Sequence, residues 1–365
     1  MISIAPLDDL TIRLCLAENQ QSARELLQRW NEEVDMDTAG FSIMRLLPLV
    51  YHKITQFNLY SPHEKRLKVV YKYWWIAYQH RIDQIYKVHV ILSKNSIPMM
   101  VIKGAGLIDH YDNPIHRTMA DVDVLVPEKD HAKALHLLLN NNWTYEHPEN
   151  EKYVSLLTKF GMEAPHGVAL GSTVSDTKLD LHRRIGSQTS NQVTDWVWAS
   201  AVPSTGLPGL NKPAIYLELL MVVVHAAMSR FKDNLNWLID LAQLQKKVTD
   251  ADWQHAFNAA TVEKKGDIFI YGCYLASQYG ILIPTWLPKN CSRGIKMPDD
   301  PGEVKKFSVE WLRRINAQLY FATHHRYPNR ALPLKWFIHG YGFVLRSIFL
   351  LIKNIGKSMP PGKRP

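Results

Sequence analysis

The stretch RTMADVDVLV, Arg117 to Val126, places two carboxylates inside a run that otherwise reads as a buried β-strand. Residues i and i+2 of a strand share a face, so Asp121 and Asp123 point one way and the valines the other. Two like charges on one face of an apolar strand repel each other and are costly to bury. A divalent cation resolves that conflict, because Mg²⁺ favours oxygen ligands and is held by a few carboxylates together with substrate phosphates.

The flanking sequence supplies a setting for such a strand. Upstream, PMMVIKG is a short apolar run closed by glycine, AGLIDHY allows one or two helical turns, and DNPIH is a loop. Downstream, Pro127 ends the carboxylate strand, EKDHAKALHLLLNNN reads as a helix, and WTYEH as a short strand. TKLDLHRRI alternates again and carries Asp180. The order from Pro98 to Ile185 is strand, helix, strand, helix, strand, strand, which is a small α/β unit.

If the Asp180 strand lies beside the first, Asp121, Asp123 and Asp180 converge. Such a trio can hold metal ions that stabilise both the attacking and leaving oxygens of an in-line phosphoryl displacement. In IKGAGL, Lys103, Gly104, Ala105 and Gly106 close one strand and open a short helix. Glycine lets the backbone approach a polyphosphate, a helix start offers free N–H donors, and Lys103 adds a point charge. Each feature alone is ordinary: Asp-x-Asp occurs at strand edges, Lys-Gly in simple turns, and a histidine such as His182 is commonly structural. Their order along the chain carries the reading.

Residues Ile102 to His182 resemble the nucleotidyltransferase domain of the DNA polymerase β-like superfamily. More narrowly, IKGAGL, RTMADVDVLV and LDLH are similar to a bacterial branch whose pattern runs Lys-Gly, then Arg-x-Met-x-Asp-hydrophobic-Asp, then Asp-Leu-His. HAAMSRFKDNLNWLIDLAQL extends the similarity through His225, Trp237 and Asp240. The resemblance implies that Asp121, Asp123 and Asp180 bind the catalytic metals, Mg²⁺ or Mn²⁺ in its place, and that Asp180 activates the acceptor hydroxyl. It implies a nucleotide site at Lys103, Gly104, Ala105, Gly106, Arg117 and His182, with Arg117 reaching a phosphate or bracing the loop. The usual Gly-Ser of better-studied members is here Lys103-Gly104-Ala105, which lacks the hydroxyl. The partners implied are a nucleoside triphosphate and a hydroxyl-bearing acceptor, which the sequence leaves open among sugar, peptide, protein and RNA.

The flanks read as helical. SARELLQRWNEEV, RLLPLVYHKITQF and a long pattern from Glu64 to Asn95 precede the unit, and PAIYLELLMVVVHAAMSRF and NLNWLIDLAQLQKKV follow it. The expected fold class is α+β: a small mixed-sheet nucleotidyltransferase-like domain between helical N-terminal and C-terminal regions. The expected boundaries are 1–96, 97–205, 206–300, and a basic helical region with a loose tail over 301–365.

With 46% hydrophobic residues, 11 Trp and 16 Tyr in 365 residues, the chain is globular and not disordered. Three scattered cysteines make no disulfide framework and no cysteine-based zinc site. The opening MISIAPLDDLTIRLC does not read as a secretory signal, so the expected compartment is the reducing cytoplasm. Residues 301–365 hold twelve basic side chains against two acidic ones, a net +10 that leaves the remainder of a +9 chain at −1. That segment suits phosphate, an anionic membrane surface or an acidic partner, or is a plain solvated surface. Residues 336–356 are apolar but interrupted by His339, Arg346 and two glycines, which favours a docking or membrane-surface helix over a span.

Two other functions compete. GAGLID begins like a dinucleotide fingerprint, but Asp109 stands at the third glycine position and Pro114 breaks the crossover helix. The second alternative keeps the fold but not the turnover: a nucleotide- or partner-binding protein of a biosynthetic complex.

Overall fold

The computed structural model describes residues 4–147, 154, 166–186, 189–228, 231 and 234–287. The expectations for residues 301–365, including the apolar 336–356 stretch, lie outside these. Four helices come first: α1 (Pro6–Leu16), α2 (Gln20–Glu33), α3 (Phe41–Gln56) and α4 (Glu64–Ser93). The sheet unit follows with β1 (Met100–Ile102), α5 (Lys103–Leu107), β2 (Val122–Leu125), α6 (His131–Leu139), β3 (Trp143–Tyr145), β4 (Gly167–Ser172) and β5 (Lys178–His182). Helix α7 (Asn191–Ala199), the two-residue strands β6 (Val202–Pro203) and β7 (Asn211–Lys212), and helices α8 (Ile215–Met228), α9 (Asn236–Leu244), α10 (Asp250–Val262) and α11 (Gly266–Ser277) complete the described chain. This is a mixed α+β fold with helical flanks.

The seven strands are ordered β3-β4-β5-β2-β1-β7-β6. β2 is central, antiparallel to β1 and parallel to β5. The parallel pairing sets Asp123 level with Asp180 and Leu125 level with His182. β4 was not foreseen: it inserts between β3 and β5, antiparallel to both. Its sequence GVALGS is glycine-rich and short, so it gives little strand signal, although its burial alternates as a strand's should.

The sheet has two unlike faces. Met100, Ile102 and Leu125 share the face of Asp123 through the β1–β2 register, and they join the main apolar core. That core also takes in Leu14 and Trp30 from the N-terminal helices and Leu217, Trp253 and Phe269 from the C-terminal ones. On the opposite face Val122, Val124, Leu179 and Leu181 are fully buried, with α6 packed on β5 and α4 packed on α6. The carboxylates therefore look toward the helical half, where a cleft can form. No helix among the described residues is long and apolar enough to cross a membrane.

Candidate active site

The chain leaves β1 through an unusual residue. Ile102 is extended, and Lys103 then adopts φ +49°, a left-handed conformation that side-chain-bearing residues rarely take. The segment expected to be a glycine loop is thus the first turn of α5 itself. Gly106 lets that turn lie against β1, since a Cβ there would meet the Val101 carbonyl oxygen at 3.2 Å.

The turn aims the Lys103 ammonium at the sheet. Its Nζ donates to Asp123 Oδ1 at 2.6 Å and lies 3.3 Å from His182 Nε2. His182 Nε2 is itself 2.8 Å from Asp123 Oδ1 and 4.0 Å from Asp180 Oδ2. One ligand atom from each of Asp123, Asp180 and His182 falls within 4.8 Å of the others. Two carboxylates and an imidazole are a donor set that fits a divalent cation. His182 is held from behind by close packing: a Cβ on Gly167 would sit 2.9 Å from its ring.

Electrostatics divides the three aspartates. Burial alone would raise the pKa of Asp123, but Lys103 and the His182 hydrogen bond pull it well below the usual carboxylate range. Asp180 is pushed up by burial and by the charge of Asp123. Asp121, at the exposed rim just before β2, is pushed up by the protein crowded around it and by Asp123. His166, whose ring lies 5.6 Å from that of His182, is lowered to about 4 by burial, His182 and Lys103.

Arg117 is buried, with Nε 2.5 Å from Asp240 Oδ1 on α9, and Tyr111 donates its hydroxyl to the same carboxylate oxygen at 2.6 Å. These contacts make it a brace between the β1–β2 connection and the helical half. It also borders a cavity of about 30 Å³ shared with Lys103, His225, Trp237 and Asp240. The residues singled out by sequence on both sides of α8 thus meet at one place. A second cleft of about 140 Å³ is lined by Lys103, His166, Thr189, Met221, His225 and Lys265.

A buried polar cluster beneath the first turn of α5 escaped the sequence reading. Lys212 Nζ lies 3.1 Å from Glu218 Oε1, 3.1 Å from His110 Nε2 and 3.4 Å from the Gly106 carbonyl oxygen. His110 is 2.7 Å from Glu218 Oε2, and Asp109 accepts from Ser204 Oγ and from the backbone N–H groups of Thr205 and Gly206. The available signal was Glu218 itself, a lone carboxylate within the apolar run IYLELLMVVV.

A mixed sheet with neighbouring Asp strands, facing a helical half across a cleft, defines a nucleotidyltransferase-like protein. The family described as uncharacterised nucleotidyltransferase matches residues 42–280, and the chain belongs to it. It is accordingly an enzyme of the nucleotidyl-transferring class. Among solved structures, a solution structure of the antibiotic-resistance factor ANT(2'')-Ia aligns at 10% identity over 55% of this chain and 94% of that one, with a TM-score of 0.29. A likeness that slight carries no argument. No curated protein matches the chain.

Proposed function

We propose that the protein transfers a nucleoside monophosphate from a nucleoside triphosphate to a hydroxyl of its acceptor, releasing pyrophosphate. The observation that supports this most directly is the convergence of Asp123, Asp180 and His182 on one point, beside a cavity bordered by Lys103 and Arg117. Asp123, Asp180 and His182 would hold a divalent ion, Mg²⁺ or Mn²⁺, with Asp121 at the rim turned toward the incoming phosphates. Such an ion supplies charge neutralisation at the phosphoryl oxygens.

The chain's own residues supply the rest. Of the expected phosphate loop, Ala105 and Gly106 are buried against β1, which leaves Gly104 and the positive charge of Lys103 to meet the triphosphate. Asp180, at 32% the most exposed of Asp123, Asp180 and His182, is the member placed to accept the acceptor's hydroxyl proton. Positioning and fixed charge account for most of the acceleration in such a reaction.

Calorimetry of each nucleoside triphosphate, with and without Mg²⁺, tests this on wild type, Asp121→Asn and Asp123→Asn. Mg²⁺-dependent binding in wild type that is lost in Asp123→Asn while its circular dichroism is retained is the expected result. Absence of binding to all four nucleotides sinks the proposal. The loop without a hydroxyl, Lys103-Gly104-Ala105, favours one second reading, in which nucleotide is bound and not turned over. Binding without pyrophosphate release across an acceptor screen of sugars, peptides, proteins and RNA would select it.

A further inference from the structure

The Lys103 ammonium reaches into the group formed by Asp123, Asp180 and His182. It contacts Asp123 Oδ1 at 2.6 Å and His182 Nε2 at 3.3 Å, so it touches two of the three members of the cation-holding trio. The side chain is 18% exposed, and the chain accepts a left-handed φ of +49° at a non-glycine residue to aim it there. Backbone strain of this kind persists where surrounding structure enforces it, commonly at functional sites. Lys103 also lines two cavities, which gives the ammonium somewhere to go.

We infer that Lys103 is a displaceable internal cation: it neutralises the carboxylates in the metal-free protein, and a divalent ion entering the trio drives it into the adjoining cavity to meet the substrate's phosphates. This rests on the metal-dependent reading above. Two cations drawn to one buried carboxylate oxygen repel each other, so the ammonium and a metal ion exclude one another there. The positive charge is not lost on exchange. It is moved from the carboxylates to the place where an anionic substrate arrives, which couples metal binding to nucleotide binding.

The test is titration of Mn²⁺ alone, followed by calorimetry and by the electron paramagnetic resonance of the free ion. Wild type, Lys103→Met and Lys103→Arg are compared, with folding checked by circular dichroism. Removing the competing charge should tighten Mn²⁺ binding by about tenfold or more, the scale on which a charge at this separation shifts a bound proton. Lys103→Arg, which keeps the charge, should bind as weakly as wild type. If Lys103→Met does not fold, Lys103→Gly suits the positive φ and replaces it. Equal or weaker Mn²⁺ binding by the neutral variant overturns the inference and leaves the metal site standing. If neither wild type nor the neutral variant binds Mn²⁺, the metal site falls and the inference with it. With Mn²⁺ saturating, ATP as the probe should bind Lys103→Met about tenfold more weakly. Unchanged ATP affinity overturns the handover of charge.

Discussion

Asp123 has both of its attractive partners, Lys103 and His182, on a single oxygen, while Asp121 and Asp180 are left to repel it. The three aspartates therefore differ in what they contribute to the metal-free fold. From sequence alone, neutralising either Asp121 or Asp123 should relieve their repulsion and stabilise the protein. The structure withdraws that expectation from Asp123, keeps it for Asp121 and extends it to Asp180. Asp180→Asn removes a carboxylate whose pKa is raised, so at neutral pH it should hold or raise Tm. Asp123→Asn strips a partly buried ammonium of its anion, and breaking such a pair costs more than the pair itself contributes. A loss of about 2 kcal/mol would lower Tm by several degrees in a chain of this size. Differential scanning calorimetry without metal should rank Asp180→Asn at or above wild type and Asp123→Asn below it. The reverse order would mean that Lys103 does not neutralise the site.

Helix α5 depends on what lies under it. Lys212 on β7 and Glu218 on α8 close beneath the Gly106 carbonyl, and their side chains are 8% and 2% exposed. The Asp109 side chain is 5% exposed, and its pKa is lowered despite that burial by the backbone N–H groups of Thr205 and Gly206 and by Lys212. Lys212→Met would leave the Asp109 and Glu218 carboxylates without their cation. The expected cost is about 3–5 kcal/mol, read as a lower urea midpoint at unchanged m. A shift below about 1 kcal/mol, the range of exposed pairs, would show that water reaches the cluster. These contacts also mark how far the sequence could be read. VDVLV and LDLH announce their strands because period-two alternation is a local property, and a carboxylate in each points to their side-by-side pairing. The Lys212 cluster joins residues about a hundred positions apart, and no local pattern encodes such a pairing. β6 and β7, at two residues each, are too short to show a period, and β4 is obscured by its glycines. His182 was legible only as part of a motif. Its role beside Asp123 emerges once β5 lies in register with β2.

Helices from both ends of the described chain bury their apolar faces in one core, and Tyr279 donates to Asp9 across them at 2.8 Å. Loss of a contact in that shared core is therefore felt as global stability. One seam outside it, beside the small Trp74–Ile115 cluster, is sensitive to pH. His116, in the β1–β2 connection, lies with its ring 4.3 Å from that of His52 on α3 and 6.4 Å from that of Tyr71 on α4. It is 8% exposed, and burial together with His52 lowers its pKa to about 4. His52 is lowered as well, by burial and by Lys53. An unfolded histidine titrates near 6.5, so between about 4 and 6.5 the unfolded chain binds more protons than the folded one. Stability then rises with pH across that window. It is fully present above about 6.5 and is lost as the solution is acidified toward about 4. His131 and His166 are lowered too and act with the same sign. The depressed carboxylates, Asp123 and Asp109, withdraw their contribution only below about 4, where unfolded carboxylates become protonated. The raised Asp121 and Asp180 act with the opposite sign just above it, so the histidine effect is read from the difference between wild type and a His116 variant. His116 alone is expected to contribute roughly 3 kcal/mol across the window. Urea midpoints measured from pH 7.5 to 4.5 should fall steadily for wild type and less steeply for His116→Asn, whose own side chain no longer titrates. Parallel slopes for the two proteins would show that His116 accepts its proton without disturbing the seam.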